Sequence, residues 1–106
     1  MTSTLIKTKI ETITPNNQVS AANAKELHDQ INDLFNSSPP STLLINMEKV
    51  EFMDSAGLMV LVNAFNRAKE LDMFFQLRSV NESVRIIFEL TQLDQVFDIV
   101  EYWIVI

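Results

Sequence analysis

The residues of this 106-residue chain that are best suited to chemistry are an aspartate and a serine just before its only glycine. Asp54, Ser55 and Gly57 occur in EFMDSAGLMVL, residues 51–61, where a strand-like segment gives way to a helical pattern. A side-chain oxygen at such a junction can cap the helix, because the first backbone N–H groups of a helix have no partner within it. A serine hydroxyl there can also act as a nucleophile or accept a phosphate group. Capping accounts for one of the two residues, Asp54 or Ser55. It does not explain why both are present or why the glycine follows them.

A nucleophilic serine fits the surrounding residues poorly. In a nucleophile elbow the serine lies between two glycines, whereas Met53 takes the upstream position here. The partner histidine must reach the serine hydroxyl. The only histidine, His28, is predicted to lie on the polar side of an earlier helix. A small serine hydrolase is therefore kept only as an alternative, and no catalytic residue is assigned.

Metal and cofactor chemistry find little support in the composition. One histidine, no cysteine and dispersed carboxylates match no known spacing of metal ligands. A phosphate-binding loop needs several glycines to expose its backbone N–H groups, and this chain has one glycine. The sequence therefore predicts neither a metal site nor a cofactor.

A phosphate acceptor is the use of Ser55 that fits best. A hydroxyl at a helix N-terminus is exposed, and a phosphate group on it would lie near the positive end of the helix dipole. Gly57 would keep the approach to Ser55 open, and Met59, one turn further along, would offer a flexible apolar contact. A partner bound at this helix tip would be affected directly by the added charge.

The overall composition predicts a soluble cytoplasmic protein. Fourteen acidic and eight basic residues give a net charge of −6, which argues against nucleic acid as a partner. The absence of cysteine excludes disulfides. The first ten residues lack the apolar core of a signal peptide, and no window approaches the ~20 apolar residues of a membrane span.

Hydrophobic periodicity predicts three helices. The first covers residues 21–35 with Ser20 as its N-cap, the second runs from the Asp-Ser site to about residue 71, and the third follows Asn81 as its N-cap. The residues expected to face the core are Ala24, Leu27, Ile31, Leu34 and Phe35 in the first helix, Leu58, Leu61, Val62, Phe65 and Ala68 in the second, and Val84, Ile87, Phe88 and Thr91 in the third.

Strands are predicted before, between and after these helices. Residues 4–13 alternate as in a half-exposed strand, with Ile6, Ile10 and Ile13 near one face. Residues 42–47 and 73–80 are apolar runs typical of strands buried on both faces. The apolar end of the chain is expected to form a last strand, and residues 102–106, YWIVI, either complete the core or form a homodimer contact. Residues 14–18 and 48–52 are interpreted as a turn and a link.

Alternating strands and helices predict an α/β domain over residues 1–106, with a mixed, largely parallel β-sheet covered by helices. Ligands and partners of such sheets tend to meet the loops at the carboxyl ends of the strands. The Asp-Ser site is predicted to lie at one of these ends.

Two segments resemble the STAS domain family of bacterial anti-sigma factor antagonists. Residues 45–70, INMEKVEFMDSAGLMVLVNAFNRAKE, are similar to that family's buried strand, short link and Asp-Ser-x-Gly-Leu helix start. Residues 77–99, LRSVNESVRIIFELTQLDQVFDI, resemble its third helix and the Phe-x-Ile strand that follows. Together with a helix at 21–35, the resemblance covers most of the chain.

The resemblance implies a switch in partner binding rather than an enzyme. In the family, the unmodified antagonist binds an anti-sigma factor, often also a serine kinase, which phosphorylates the serine of the motif. The complex then weakens, and a PP2C-type phosphatase restores the first state. Carried over by position, the phosphoacceptor is Ser55. The partner-binding residues are Asp54, Ser55, Ala56, Gly57, Leu58 and Met59.

The chain departs from the family pattern at four places. Ala56 stands where many members have a second hydroxyl, which leaves Ser55 as the acceptor. Residues 17–20 replace a Gly-x-Leu-Asp sequence near the kinase-binding face. Gln92 replaces the glycine of Thr-Gly-Leu, and residues 71–73 stand where a glycine-rich turn is common.

Overall fold

The computed structural model describes residues 9–37 and 40–100. The helices are α1, Ala24–Ser37; α2, Ser55–Glu70; and α3, Glu82–Leu90, which is followed by a short 3-10 helix, Leu93–Gln95. The strands are β1, Ile10–Ile13; β2, Asn17–Val19; β3, Thr42–Asn46; β4, Val50–Met53; β5, Phe74–Arg78; and β6, Asp98–Val100. The three predicted helices are confirmed, while predictions for residues 1–8 and 101–106, including the YWIVI segment, lie outside the described residues. None of the helices among the described residues is long and apolar enough to cross a bilayer.

Four strands form one sheet in the order β1-β3-β5-β6, and each neighbouring pair is parallel. Parallel neighbours need a crossover connection, and here α1, α2 and α3 each return the chain from one strand to the start of the next. The predicted α/β class with a largely parallel sheet is confirmed. Because these four strands are parallel, their carboxyl ends lie along one edge of the sheet. After β3 the chain leaves this edge, forms β4 and reaches the Asp-Ser site at the start of α2.

The segments interpreted as a turn and a link instead contain a second pair of strands. β2 and β4 are parallel, with Val19 opposite Met53. Strands of three and four residues are too short to show a period in sequence. β4 is also tied to α3, because Asn81 Nδ2 donates to Val50 O at 2.7 Å and Ser83 Oγ to Glu51 O at 3.3 Å.

The four-stranded sheet has two unlike faces. Its register places Ile13, Ile45 and Leu77 in one row, and all three are buried. Ile10 and Phe74 belong to a row on the opposite face, where they are 57% and 68% exposed. The prediction that Ile10 shares a face with Ile13 is therefore wrong, since successive strand residues point to opposite faces. The prediction that residues 73–80 are buried on both faces is also wrong.

The helices bury the sides that the periodicity predicts. Leu27, Ile31 and Phe35 of α1 are buried, as are Leu61 and Ala68 of α2. α1 packs against α2, and α2 packs against β5 and β2. The positions predicted for α2 omitted three buried residues, Gly57, Val60 and Ala64.

The end of α3 differs from its prediction. Val84 and Phe88 are buried, but Thr91 is exposed because the helix ends at Leu90. Thr91 Oγ1 donates to Ile87 O at 2.8 Å, so the hydroxyl satisfies a helix carbonyl instead of entering the core.

Two turns keep a backbone conformation favoured by glycine without containing glycine. Gln92 has φ 62° and Asp72 has φ 55°. Both occupy positions where the resembled family has or commonly has glycine. At these two positions the residue is not glycine, but the backbone keeps the left-handed conformation that favours glycine.

Candidate functional site

Asp54 joins the start of α2 to the turn that precedes α1. It is the N-cap residue of α2, and its Oδ1 accepts a hydrogen bond from the Gly57 backbone N–H at 2.9 Å. Its Oδ2 accepts from the Ala21 N–H at 3.0 Å. One carboxylate thus contacts two parts of the chain that are far apart in sequence.

These contacts favour the ionised form of Asp54. The pKa of the Asp54 carboxyl lies below its ordinary value, chiefly because the Ala21 backbone N–H donates to it and next because the Gly57 N–H does so. Donors that bind the charged form lower the pKa of a carboxyl group. Asp54 therefore places a stable negative charge beside Ser55.

Ser55 is the first residue of α2 and is exposed. Among the described residues, no hydrogen bond occupies its hydroxyl. Met59 lies one turn further along the same side of α2 with 52% of its surface exposed, while Ala56 and Leu58 are half-buried. The tip of α2 thus offers a free hydroxyl next to an apolar side chain.

Gly57 is buried, and its role differs from the one predicted. A Cβ atom built on it would lie 1.8 Å from Val19 O and 2.8 Å from Ser20 N. The absence of a side chain therefore permits close packing of α2 on the end of β2. It does not keep a face open towards Ser55, and the backbone of Gly57 has no positive φ.

The turn held by Asp54 comprises residues 20–23 and is closed by its own hydrogen bonds. Ser20 N–H donates to Asn23 Oδ1 at 2.9 Å, and Ala22 N–H donates to Ser20 Oγ at 3.2 Å. Asn23 Nδ2 donates to Gln18 O at 2.8 Å. The predicted cap Ser20 therefore organises this turn, because α1 begins only at Ala24.

A shallow groove of about 310 Å³ borders this turn. The described residues that line it are rich in side-chain amides, including Asn16, Gln18, Asn23 and Gln30, and carry one carboxylate, Glu26. None of these described residues is a lysine or an arginine. The groove is therefore poorly suited to a phosphate-bearing ligand.

His28 is engaged away from Ser55. Its Nε2 lies 2.9 Å from Asn32 Nδ2 on α1, and with Asn63 and Arg67 it lines a small crevice between α1 and α2. Ser55 is not part of that crevice. The described residues contain no group of three or more His, Cys, Asp or Glu side chains arranged for a metal ion.

A model of the STAS domain family matches residues 3–103 of the chain. The chain belongs to the STAS domain family. The resemblance seen in the Asp-Ser-x-Gly-Leu motif therefore extends over nearly the whole sequence. The anti-sigma factor antagonists of this family are regulatory proteins without enzymatic activity.

Relatives in sequence and structure agree with this assignment. A candidate anti-sigma factor antagonist of Thermotoga neapolitana, a homolog of TM1081, is 31% identical over 85 residues, which are 80% of this chain and 75% of that protein. The crystal structure of the candidate antagonist TM1081 from Thermotoga maritima has a TM-score of 0.81 and 28% identity, covering 90% of this chain and 80% of its own.

A third likeness concerns the fold alone. The Bacillus cell fate determinant SpoIIAA, solved in its phosphorylated form, has a TM-score of 0.73 at 14% identity and covers 94% of this chain and 88% of its own. At this identity the STAS domain shares its chain path with SpoIIAA.

Sequence reasoning placed Asp54 and Ser55 at the start of α2 but missed the contact between Asp54 and Ala21. Residues 17–20, just before this turn, depart from the family pattern. The pattern could not indicate that a backbone N–H of the loop would bind Asp54, because any residue except proline carries that group.

Proposed function

We propose that this STAS domain is an anti-sigma factor antagonist that acts in the cytoplasm. In this proposal it binds an anti-sigma factor that is also a serine kinase, and phosphorylation of Ser55 weakens the complex. A PP2C-type phosphatase then restores the binding form. The family membership and the names of the two Thermotoga relatives support the class of partner.

The observation that carries the proposal is the exposed hydroxyl of Ser55 at the first residue of α2. A kinase needs an accessible hydroxyl, and the helix start tolerates the product because its N–H groups favour negative charge. Met59 supplies exposed apolar surface one turn away. A phosphate group would therefore enter a contact area without unfolding α2.

The electrostatic change is large enough for a switch. A phosphate group adds about −1.5 to −2 charges at neutral pH, next to the carboxylate of Asp54. A tenfold change in partner affinity requires about 1.4 kcal/mol. One doubly charged group at an interface readily provides a difference of that size.

Mass spectrometry of the protein from its host tests whether Ser55 is modified. The tryptic peptide of residues 50–67 contains Ser55 as its only hydroxyl residue, so a phosphate on this peptide is assigned without ambiguity. We expect a phosphorylated fraction that changes with growth conditions. A peptide that stays unmodified under every condition would contradict the proposed switch.

Binding to the host's anti-sigma factors tests the consequence. We expect Ser55→Ala to retain full affinity and Ser55→Asp to lower it by at least about tenfold. Asn63→Asp is the matched control, since it adds the same charge to the exposed side of α2 two turns away. Equal affinities for Ser55→Asp and Ser55→Ala would overturn the switch.

A constitutive interaction or scaffold module is the second candidate function, and the capping contact of Asp54 favours it. In that case partner binding does not depend on Ser55.

A small serine hydrolase would be labelled at Ser55 by a fluorophosphonate probe, and we expect no labelling. Homodimer formation through residues 102–106 stays a prediction, tested by light scattering of the full chain and of a chain lacking them.

A further inference from the structure

The carboxylate of Asp54 is placed to sense the state of its neighbour. One of its oxygens holds the Gly57 N–H of α2 and the other holds the Ala21 N–H of the 20–23 turn. Asp54 is also bonded directly to Ser55 in the chain. A group added to the Ser55 hydroxyl therefore arrives beside a side chain that joins α2 to this turn.

We propose that Asp54 is a positioning residue whose hold on the 20–23 turn depends on phosphorylation of Ser55. Phosphate on Ser55 displaces the Asp54 carboxylate, the Ala21 N–H loses its acceptor, and the turn is released from α2. This inference rests on the proposed phosphorylation of Ser55. It adds a structural response that carries the signal from the tip of α2 to a second segment.

Two physical effects drive the displacement. The phosphate dianion and the Asp54 carboxylate carry like charges on adjacent residues, so they repel each other. The phosphate oxygens also compete for the N–H groups of the first turn of α2, one of which, that of Gly57, is bound by Asp54. Both effects weaken the contacts of Asp54.

The remaining contacts confine the response to the turn. Val19, at the end of β2, is fully buried, and α2 packs closely on it at Gly57. The turn keeps its internal bonds from Ser20 and Ala22 when the bond from Ala21 is lost. Asn23 Nδ2 also donates to Gln18 O of β2 at 2.8 Å. We therefore expect the response to centre on Ala21, while Asn23, β2 and α2 stay in place.

Asp54→Asn separates the two contacts. Asparagine caps a helix about as well as aspartate, so its single carbonyl oxygen can still accept from Gly57. Its other terminal group is an NH₂ donor and cannot accept from the Ala21 N–H. The variant should keep α2 capped and release the turn without any phosphate.

The test is NMR of the full chain with phosphoserine incorporated at position 55 during synthesis, which requires no kinase. The readout is the amide shift and solvent exchange rate of Ala21, with the Leu58 amide, bonded to Asp54 O at 2.9 Å, as the monitor of helix integrity. We expect phosphorylation to speed Ala21 exchange by about tenfold or more, the effect of losing a charge-assisted hydrogen bond, and to leave Leu58 unchanged.

A double comparison separates coupling from a merely structural role. Asp54→Asn should speed Ala21 exchange to the same degree as phosphorylation, and phosphoserine in the Asp54→Asn chain should add no further change. An Ala21 amide that exchanges equally fast with serine and with phosphoserine would overturn the inference. Additive effects of the two changes would overturn it as well.

The proposed function can fail independently of this inference. If phosphorylation lowers partner affinity while Ala21 does not respond, the switch stands and the coupling through Asp54 is wrong. If Ala21 responds in the synthetic phosphoprotein while the host protein is never phosphorylated, the coupling stands and the switch is wrong.

Discussion

At the scale of single residues, Asp54 and Gly57 fix the position of Ser55. Asp54 binds backbone N–H groups of both α2 and the 20–23 turn. Gly57 lets the helix approach the backbone of Val19 more closely than any side chain would permit. Ser55 itself is exposed at the first residue of α2, so its position depends on the residues on either side.

Replacing Gly57 with alanine should destabilise the domain. In an exposed helix the change gains up to about 1 kcal/mol, but here the new Cβ atom meets Val19 O. Shifting α2 to relieve such a contact costs about 1–3 kcal/mol. Urea unfolding should therefore show a lower free energy for Gly57→Ala.

The control for this prediction is Asn63→Ala on the exposed side of the same helix, which should leave stability unchanged or slightly higher. A Gly57→Ala protein as stable as the unmodified chain would show that α2 does not need the close approach.

The lowered pKa of Asp54 predicts how the unfolding free energy of the domain depends on pH. Because the folded-state pKa lies below the ordinary value, the stability that Asp54 contributes is fully present above the ordinary aspartate pKa of about 4. That contribution is lost as pH falls through the lower folded-state pKa. We expect the difference in unfolding free energy between the unmodified chain and Asp54→Asn to shrink with falling pH in this window.

Urea unfolding of both proteins between about pH 7 and pH 2 measures this difference, and contributions of the other carboxyl groups cancel between them. A difference that is constant over this range would mean that Asp54 gains nothing from its charge.

At the scale of elements, α3 is held to β4 by the residue predicted to cap it. Asn81 is the N-cap residue by position, but its side chain makes no capping bond. Its Nδ2 donates instead to Val50 O at 2.7 Å and, at 3.4 Å, to Glu48 O. The bond to Val50 O ties the start of α3 to β4.

Because Asn81 donates to β4 instead of capping α3, Asn81→Asp should destabilise the domain, whereas the same exchange at an ordinary N-cap changes stability little. Aspartate caps helices as well as asparagine does, but a carboxylate cannot donate to the Val50 carbonyl. An unsatisfied group of this kind costs about 1–3 kcal/mol. We expect urea unfolding to show a loss of that size for Asn81→Asp.

Asn63→Asp, at an exposed position of α2, serves as the control and should change stability little. Equal stability of Asn81→Asp and the unmodified chain would show that capping, and not the bond to β4, is the role of residue 81.

At the scale of the whole molecule, four phenylalanine rings join the helices to the sheet. Phe97, just before β6, lies 5.7 Å from Phe65 of α2, 6.0 Å from Phe75 of β5 and 5.5 Å from Phe88 of α3, between ring centroids. Phe97 and Phe88 are buried. The ring of Phe97 therefore contacts three elements at once.

Phe97→Ala should be among the most damaging single changes in the chain. Removing a buried phenylalanine costs about 3–5 kcal/mol through lost contacts and the cavity that remains. Phe74→Ala removes the same side chain from a position that is 68% exposed and should change stability by about 0.5 kcal/mol or less. Comparable losses for the two variants in urea unfolding would contradict the central position of Phe97.

Local sequence patterns were sufficient for much of this molecule. Helical spacing located α1, α2 and α3, and the apolar run at residues 42–47 located the buried strand β3. The Asp-Ser pair was placed correctly at the start of α2. These features depend on neighbours within one or two turns, so they are readable from the chain itself.

The sequence by itself thus determined the helices, the central strand, the α/β class and the location of Ser55, because periodic burial and capping act over short distances. Only the tertiary structure decided the pairing of β2 with β4, the bond from Asn81 to Val50, the hold of Asp54 on Ala21 and the close approach at Gly57. Each of these involves a backbone group of a distant segment. Because all residue types except proline present the same backbone N–H and C=O groups, the sequence can single out Asp54 or Gly57 but cannot show which distant backbone group it meets.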